Sequence, residues 1–514
     1  MIWFLESWQY PCYNINNGRC KSLLKWKKTR NIIYEETTNN IIPILSLKRP
    51  HSRALYMSIV GILFSFFAHL NIISFKTIEK LYYNNNDIYS IQKEIKIATL
   101  FSYISATLSR IIFGYICDIY GVRISYCIMI FLSIILNVII INNSDNIYFY
   151  LLNGISSAGF VLSEIWVMTM FDTNILGLTT GLIGGIGNFA YGIQIIVNYN
   201  IVKNIPQEQL KYYIYWPYII YLLLIYPIYS LSDDCPYGNL NELKKLYNKT
   251  KNNSNDNDND NINSNDNDND NDNDNDNDND NDIVIYIDIN IDKTISKYSC
   301  DNYSKIEEII EDISYSKKKF FKVVKNIKIL TISFTYMYSF GLELCIITML
   351  PIFININNDV KLEEKVILVL TYSSINILGR PLGGYISDKN FKKFKINGKI
   401  KIILIFLCIT VFFGMSVNKQ LQTYKKEDSN FINLLITISI WSFTNNFLQG
   451  AIIGIIPHLD KSNIGTIMGF ISAFGTIGGI IGIISFLNFS DHFSIRYINI
   501  FGALTFVLNS LILL

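Results

Sequence analysis

Apolar residues along this chain come in runs of about twenty, separated by short polar intervals. The runs begin near Leu55, Ile97, Val122, Ile147, Leu176 and Lys211, give way to one long polar interval, and resume near Ile327, Lys365, Ile402, Phe431, Ile464 and Ile498. About twenty apolar residues in a helix rise about 30 Å, the thickness of a bilayer's hydrocarbon layer, where only helices and closed barrels satisfy their own backbone groups. The pattern predicts an all-α membrane protein of about twelve transmembrane helices. Ser, Thr and Gly recur inside the runs, as close helix contact in lipid favours.

The long interval divides the spans into six and six. Its centre, Asn252–Asp282, is nearly pure Asn-Asp repeat. Such a stretch has no apolar surface to offset ordering entropy, so a disordered spacer is expected. The expected organisation is a tail over 1–53, a six-helix half over 54–231, a linker over 232–325 and a second six-helix half over 326–514. Lysine and arginine set the orientation. The tail carries the basic segment Lys21–Arg30, the linker is flanked by Lys244–Lys251 and Lys317–Lys328, and Lys389–Lys401 is lysine-dense. With twelve spans all of these fall on one side. The opposite loops Asp359–Lys365 and Lys419–Asp428 are mixed in sign. Both termini are therefore expected to be cytoplasmic, in the plasma membrane ahead of an internal membrane.

Composition agrees with this reading. Half of the 514 residues are hydrophobic and 17% are charged, with a net charge of +2. No basic stripe with interleaved aromatics points to nucleic acid. The eight cysteines and four histidines form neither CxxC nor HxxxH spacing, so no metal or other cofactor is implied. No nucleophile–base pair and no GxxxxGK[ST] phosphate loop suggests an enzyme or a self-contained ATP pump.

The two halves repeat each other. The second span ends in Arg110-Ile-Ile-Phe-Gly114-Tyr115-Ile116-Cys-Asp118, and the eighth in Arg380-Pro-Leu-Gly-Gly384-Tyr385-Ile386-Ser-Asp388. Gly177, Gly181 and Gly187 of the fifth span match Gly465, Gly469 and Gly475 of the eleventh at a constant offset. Two parallel six-helix repeats with a solute site between them is the architecture this implies. Arg110 and Arg380 each lie eight residues before their aspartate, about 12 Å into the membrane at about 1.5 Å per residue. An arginine facing lipid at that depth costs at least about 2.5–3.5 kcal/mol. Both are expected to line a polar cavity, their forked donors suited to a planar oxyanion, or to pair with Glu164 and Glu343.

The Gly114-Tyr115-Ile116-Cys117-Asp118 segment, continuing to Gly121 and Arg123, and its counterpart at Gly384 and Asp388 resemble the loop signature of major facilitators. There Asp118 and Arg123 can pair in a gate. More narrowly, Ala98–Arg123, Gly379-Arg380-Pro381-Leu382-Gly383-Gly384, Ser339-Phe340-Gly341-Leu342-Glu343-Leu344 and the series Trp166, Met170, Phe171, Gly177 resemble the nitrate/nitrite porters, and the plant-type high-affinity nitrate transporters above the bacterial ones. The resemblance covers nearly all the spans but neither the tail nor the linker. It implies a secondary carrier of a small anion, nitrate or nitrite, working by alternating access, with Arg110 and Arg380 at the substrate. Asn188, Tyr191, Trp166 and Tyr338 are further candidates for the substrate path, although core packing is the commoner role of such aromatics.

The chain also departs from that family. In Gly185-Ile-Gly187-Asn188-Phe-Ala190-Tyr191-Gly192, Ala190 and Tyr191 replace glycines. The eleventh span keeps Gly478 and Gly479 but has Thr476 where many members carry Asn. Glu164 stands where plant-type members carry Gln, and a carboxylate there would either cancel arginine charge or couple transport to protons. Glu343 has the same two readings, coupling or packing. His69 is expected as a satisfied polar residue. Three functions remain open from sequence: a nitrate or nitrite carrier, a facilitator carrying an organic anion or other solute, and a membrane sensor that transports nothing.

Overall fold

The computed structural model describes residues 50–83, 88–143, 146–171, 175–235, 238–240, 323, 325–353, 362–423, 431–459, 463–489 and 491–513. The tail before Pro50 and the Asn-Asp repeat lie outside them. Eleven helices among the described residues are long and apolar enough to cross a membrane. The first six are α1 (Pro50–Tyr83), α2 (Ile88–Tyr120), α3 (Val122–Asn142), α4 (Ile147–Met170, its first turns 3-10), α5 (Leu176–Asn204) and α6 (Gln207–Leu231). Then follow α7 (Ile327–Phe353), the long stretch Leu362–Gln420, α10 (Phe431–Ile453), α11 (Ile464–Asn488) and α12 (Asp491–Leu513).

The long stretch counts 59 residues, which as one helix would reach about 90 Å, three bilayer cores. It is two spans. Lys395 takes φ 53 and ψ −144, the one non-helical residue inside Asn376–Thr423, and turns the chain back between α8 (residues 362–394) and α9 (residues 396–423). The run therefore yields the twelve helices that the apolar pattern predicts. Within α8 the helix lapses at Ile375, between Leu362–Ser374 and Asn376–Thr423. Pro381 lies one and a half turns on; its ring and missing N–H disturb the hydrogen-bond ladder behind it.

The faces sort by neighbour. Helices α1, α4 and α7 are the most enclosed and α6, α12, α3 and the α8–α9 stretch the least. The outer helices expose Phe131, Leu223, Phe412 and Leu511, apolar side chains that suit lipid. Across the molecule α2 lies along α11, and α8 along α5. The repeat is thus visible in the packing: each arginine-bearing helix docks on the glycine-rich helix of the other half.

Glycine makes that docking possible. A Cβ on Gly114 would stand 2.5 Å from the Gly465 carbonyl oxygen, and one on Gly177 would stand 2.5 Å from that of Gly384. Any side chain at these positions would push backbones apart, so the approach requires hydrogen alone.

Candidate functional site

The two motif aspartates tie the halves together at one end. Asp118 accepts hydrogen bonds from the backbone N–H groups of Gly465 (2.9 Å) and Thr466 (2.7 Å) and from the Thr466 hydroxyl (2.7 Å). Asp388 accepts from the Leu178 N–H (3.1 Å) and from Lys399 Nζ (2.7 Å). Each carboxylate thereby covers the first turn of a helix in the opposite half, where unpaired N–H groups and the helix dipole favour negative charge. Arg123, expected opposite Asp118, is engaged elsewhere. Its backbone N–H donates to Asp234 Oδ1 (2.9 Å), its Nη1 to the Ser232 carbonyl (2.5 Å), and its Nε lies 3.8 Å from Asp234. Gly121 precedes it at φ 85, with Asp234 packed where a Cβ would be. Burial pushes the Asp234 carboxyl above its usual range, opposed by its contacts with Arg123.

At the opposite end the halves also touch. Lys96 Nζ of α2 donates to the Phe486 carbonyl of α11 (2.9 Å), and Glu363 of α8 accepts from Lys203 Nζ (3.0 Å) and the Tyr199 hydroxyl (2.9 Å) of α5. The same helix pairs are therefore bridged at both ends.

Between these closures lie the two arginines, both buried to 1% exposure or less. Arg380 is held tightly. Its Nη2 donates to Glu343 Oε2 (2.8 Å) and to Gln449 Oε1, and its Nε to Asn376 Oδ1 (3.0 Å). Glu343 in turn accepts from Asn376 Nδ2 (2.8 Å), Asn188 Nδ2 (3.0 Å) and Gln449 Nε2 (2.9 Å). With Arg380 that makes four donors, three on Oε2 and one on Oε1, as a carboxylate's acceptor oxygens can take.

Arg110 is held differently. Its Nη1 donates to the Ser472 carbonyl (3.0 Å), its Nε is buried with no partner, and no carboxylate faces it among the described residues. Its guanidinium carbon lies 4.9 Å from the centre of the Phe340 ring and 5.3 Å from that of Phe160. The Arg380 guanidinium lies 5.8 Å from the same Phe340 ring. Phe340 stacks on Phe160 at 5.7 Å and on Tyr336 at 5.2 Å. Arg110 Nε, Arg380 Nη1 and the Tyr336 hydroxyl are all buried polar atoms with no hydrogen-bond partner. Unpaired buried donors each cost about 1–3 kcal/mol. Gathered around one aromatic stack, they make a place where a small acceptor would be stabilised.

The predicted residues divide accordingly. Arg110, Arg380, Glu343 and Asn188 join this cluster. Glu164, fully buried, sits at its edge: a Cβ on Gly184 would be 2.7 Å from Arg380 Nη1 and 2.9 Å from Glu164 Oε1. Tyr191 is buried one turn beyond Asn188, on the side of Tyr103. Trp166 and Tyr338 stand apart from the arginines. Trp166 donates from Nε1 to the Asp233 carbonyl (2.8 Å), and Tyr338 from its hydroxyl to Asn499 Oδ1 (3.2 Å). Helical geometry gives the reason. Trp166 follows Glu164 by two residues, and Tyr338 lies two residues from both Tyr336 and Phe340, which turns each about 200° away. His69 Nδ1 meets the Asn153 carbonyl at 3.3 Å, and Asn153 Nδ2 donates back to the His69 carbonyl (2.7 Å). Of the packing glycines, Gly181 and Gly469 abut the backbones of Arg380 and Arg110, Gly475 abuts Phe340 and Tyr336, and Gly187, Gly478 and Gly479 pack on Ile62, Met337 and Tyr103.

The chain is similar to known proteins along most of its length. Similarity extends to the high affinity nitrate transporter 2.7 of Arabidopsis thaliana, 23% identical over 475 residues that cover 90% of this chain and 83% of that one. It extends also to the nitrate/nitrite transporter NrtP of Nostoc punctiforme, 22% identical over 73% of this chain and 75% of that one. Among solved structures, the proton:xylose symporter XylE superposes with a TM-score of 0.59 at 12% identity, covering 89% of this chain and 94% of that one. The human organic anion transporter MFSD10 superposes with a TM-score of 0.54 at 10% identity, over 90% and 99%. Residues 57–483 match the Major Facilitator Superfamily. Twelve helices in two repeats, each docking its motif aspartate on the other half, are thus those of a membrane transporter, and the chain belongs to the major facilitator superfamily.

Proposed function

We propose that this protein is a secondary carrier of a small planar monovalent anion, nitrate or nitrite, that works by alternating access between its two halves. The observation that carries the reading is the inequality of the two arginines. Arg380 is neutralised by Glu343, whereas Arg110 keeps a buried positive charge with a free Nε beside two stacked rings. Counted over Arg110, Arg380 and Glu343, the excess is one positive charge, a match for a monovalent anion. A flat ion can lie against Phe160 and Phe340 while its oxygens take bonds from Arg110 Nε, Arg380 Nη1 and the Tyr336 hydroxyl. The nitrate transporters among its relatives support the same substrate class.

In this reading the end bearing Asp118 and Asp388 faces the cytoplasm, as do both termini, and the membrane is the plasma membrane. Bridges at both ends correspond to an occluded intermediate. Breaking the aspartate caps opens the site inward, and breaking the Lys96 and Glu363 bridges opens it outward.

The test is counterflow of labelled nitrate in proteoliposomes, with nitrite, chloride, sulfate and organic anions as competitors. Nitrate and nitrite should compete and sulfate should not. Arg110→Ala and Arg380→Ala should each abolish exchange. Unchanged exchange in either variant, or competition only by organic anions, would overturn the proposal.

A further inference from the structure

Glu164 has no function in the cluster just described, yet its position is the most costly in it. The residue is fully buried, and neither carboxylate oxygen has a hydrogen-bond partner. A buried ionised carboxylate without partners is strongly unfavourable, whereas a protonated one is not. Its nearest charge is Arg380, whose one uncommitted nitrogen, Nη1, shares with Glu164 Oε1 the space beside Gly184. Gly184 leaves that space open, since a side chain there would fill it.

The ionisable groups around Glu164 come from several elements. Helix α8 brings Arg380, α7 brings Glu343 and the Tyr336 hydroxyl, α2 brings Arg110 one turn away against Phe160, and α3 brings Tyr126, which meets the neighbouring Ser163 at 3.0 Å. His69 of α1 and Tyr191 of α5 lie toward Tyr103 instead. Two arginines and two glutamates therefore decide the charge of the site. With Glu164 ionised and no anion present they sum to zero. With Glu164 protonated they sum to one positive charge, and one monovalent anion returns the sum to zero.

Resting on the reading of this site as an anion carrier, we propose that Glu164 is the coupling residue: it takes one proton for each monovalent anion bound. The proton forms an O–H bond on a Glu164 oxygen from water on the loading side, and that bond gives the proton back to water on the unloading side. Loaded and empty forms are both neutral, so neither carries net charge across a low-dielectric barrier. Protonation also removes the negative charge that would compete with the anion beside the uncommitted Arg380 Nη1. Binding then draws on the protonated fraction alone, and apparent affinity falls about tenfold per pH unit above the pH at which Glu164 ionises.

The experiment uses full-length protein in proteoliposomes with a lumenal pH dye and a potassium–valinomycin clamp. For the wild type, an inward nitrate gradient should acidify the lumen, and the initial rate should not respond to a clamped potential of either sign. Glu164→Gln should exchange nitrate without moving protons and lose the pH dependence of nitrate affinity; Glu164→Asp should keep both. Proton movement that persists in Glu164→Gln overturns the proposal while the carrier stands. So does wild-type nitrate uptake that carries net charge or ignores pH, a result that needs no variant to fold. Absence of any nitrate or nitrite exchange by the wild type overturns the carrier reading first and this one with it.

Discussion

Replacing Arg110 by lysine keeps the charge and changes only its shape, so it separates a geometric grip from simple attraction. In the structure Arg110 serves two purposes at once: Nη1 is committed to the Ser472 carbonyl at 3.0 Å, and Nε remains for a ligand. A lysine ammonium is a single point on a flexible stem and cannot hold both the carbonyl and the anion in the same plane. One charge-assisted hydrogen bond to the anion should therefore be lost. Such bonds contribute about 1.5–3 kcal/mol, which corresponds to a nitrate affinity weaker by roughly 10- to 150-fold. Fold stability should be nearly untouched, since the ammonium can still bond the Ser472 carbonyl. Nitrate titration of the thermal unfolding midpoint reads both quantities in one experiment. Arg380→Lys is the contrast: it disrupts bonds to Glu343, Asn376 and Gln449 together, and should lower the ligand-free midpoint as well. An Arg110→Lys protein that binds nitrate within twofold of the wild type would refute the assignment of Nε to the anion.

Three other changes test the rest of the site. Glu343→Ala leaves Arg380 buried without its counter-charge and should cost about 3–5 kcal/mol, seen as a large loss in thermal or denaturant midpoint. Trp166→Phe removes the indole N–H that meets the Asp233 carbonyl; it should cost about 1–3 kcal/mol in stability while nitrate affinity stays the same, and a changed affinity would return Trp166 to the substrate path. Gly177→Val puts side-chain atoms against the Gly384 carbonyl; the overpacking costs about 1–3 kcal/mol and should prop open the end sealed by Asp118 and Asp388, read as faster maleimide labelling of the buried Cys117.

The fold was legible because lipid imposes one rule on every span. Runs of apolar residues gave the helices, and the turn at Lys395 falls inside the lysine-dense segment Lys389–Lys401 that separates the runs near Lys365 and Ile402. The aspartates and arginines were legible because each occurs twice at equal spacing. What the repeat could not reveal is where the halves differ. Asn376 and Arg380 are four apart on α8, and Tyr336, Phe340 and Glu343 recur at four and three on α7, so each set shares a helix face. That spacing was a usable signal for Tyr336 and Asn376, as was the polar run Thr444, Asn445, Asn446 and Gln449 within an apolar span. Phe160 carried no such mark: a phenylalanine in a membrane helix is ordinary, and only the position of Arg110 against its ring sets it apart.

The difference between the halves bears directly on mechanism. A carrier must bring one site to two sides of the membrane, and a symmetric scaffold makes its two end states similar in energy. A fully symmetric charge set would defeat the site, however. Two unpaired arginines would hold the anion too tightly to release it and would carry net charge when empty; two paired ones would not bind it. Here the scaffold keeps its symmetry in the glycine contacts and the aspartate caps, while Glu343 pairs with Arg380 and leaves Arg110 free. In the proposed carrier the gating parts are therefore duplicated and the binding parts are not. Substitutions at Asp118 and at Asp388 should accordingly resemble each other in effect, whereas those at Arg110 and at Arg380 should differ, the first acting on affinity and the second on affinity and folding together.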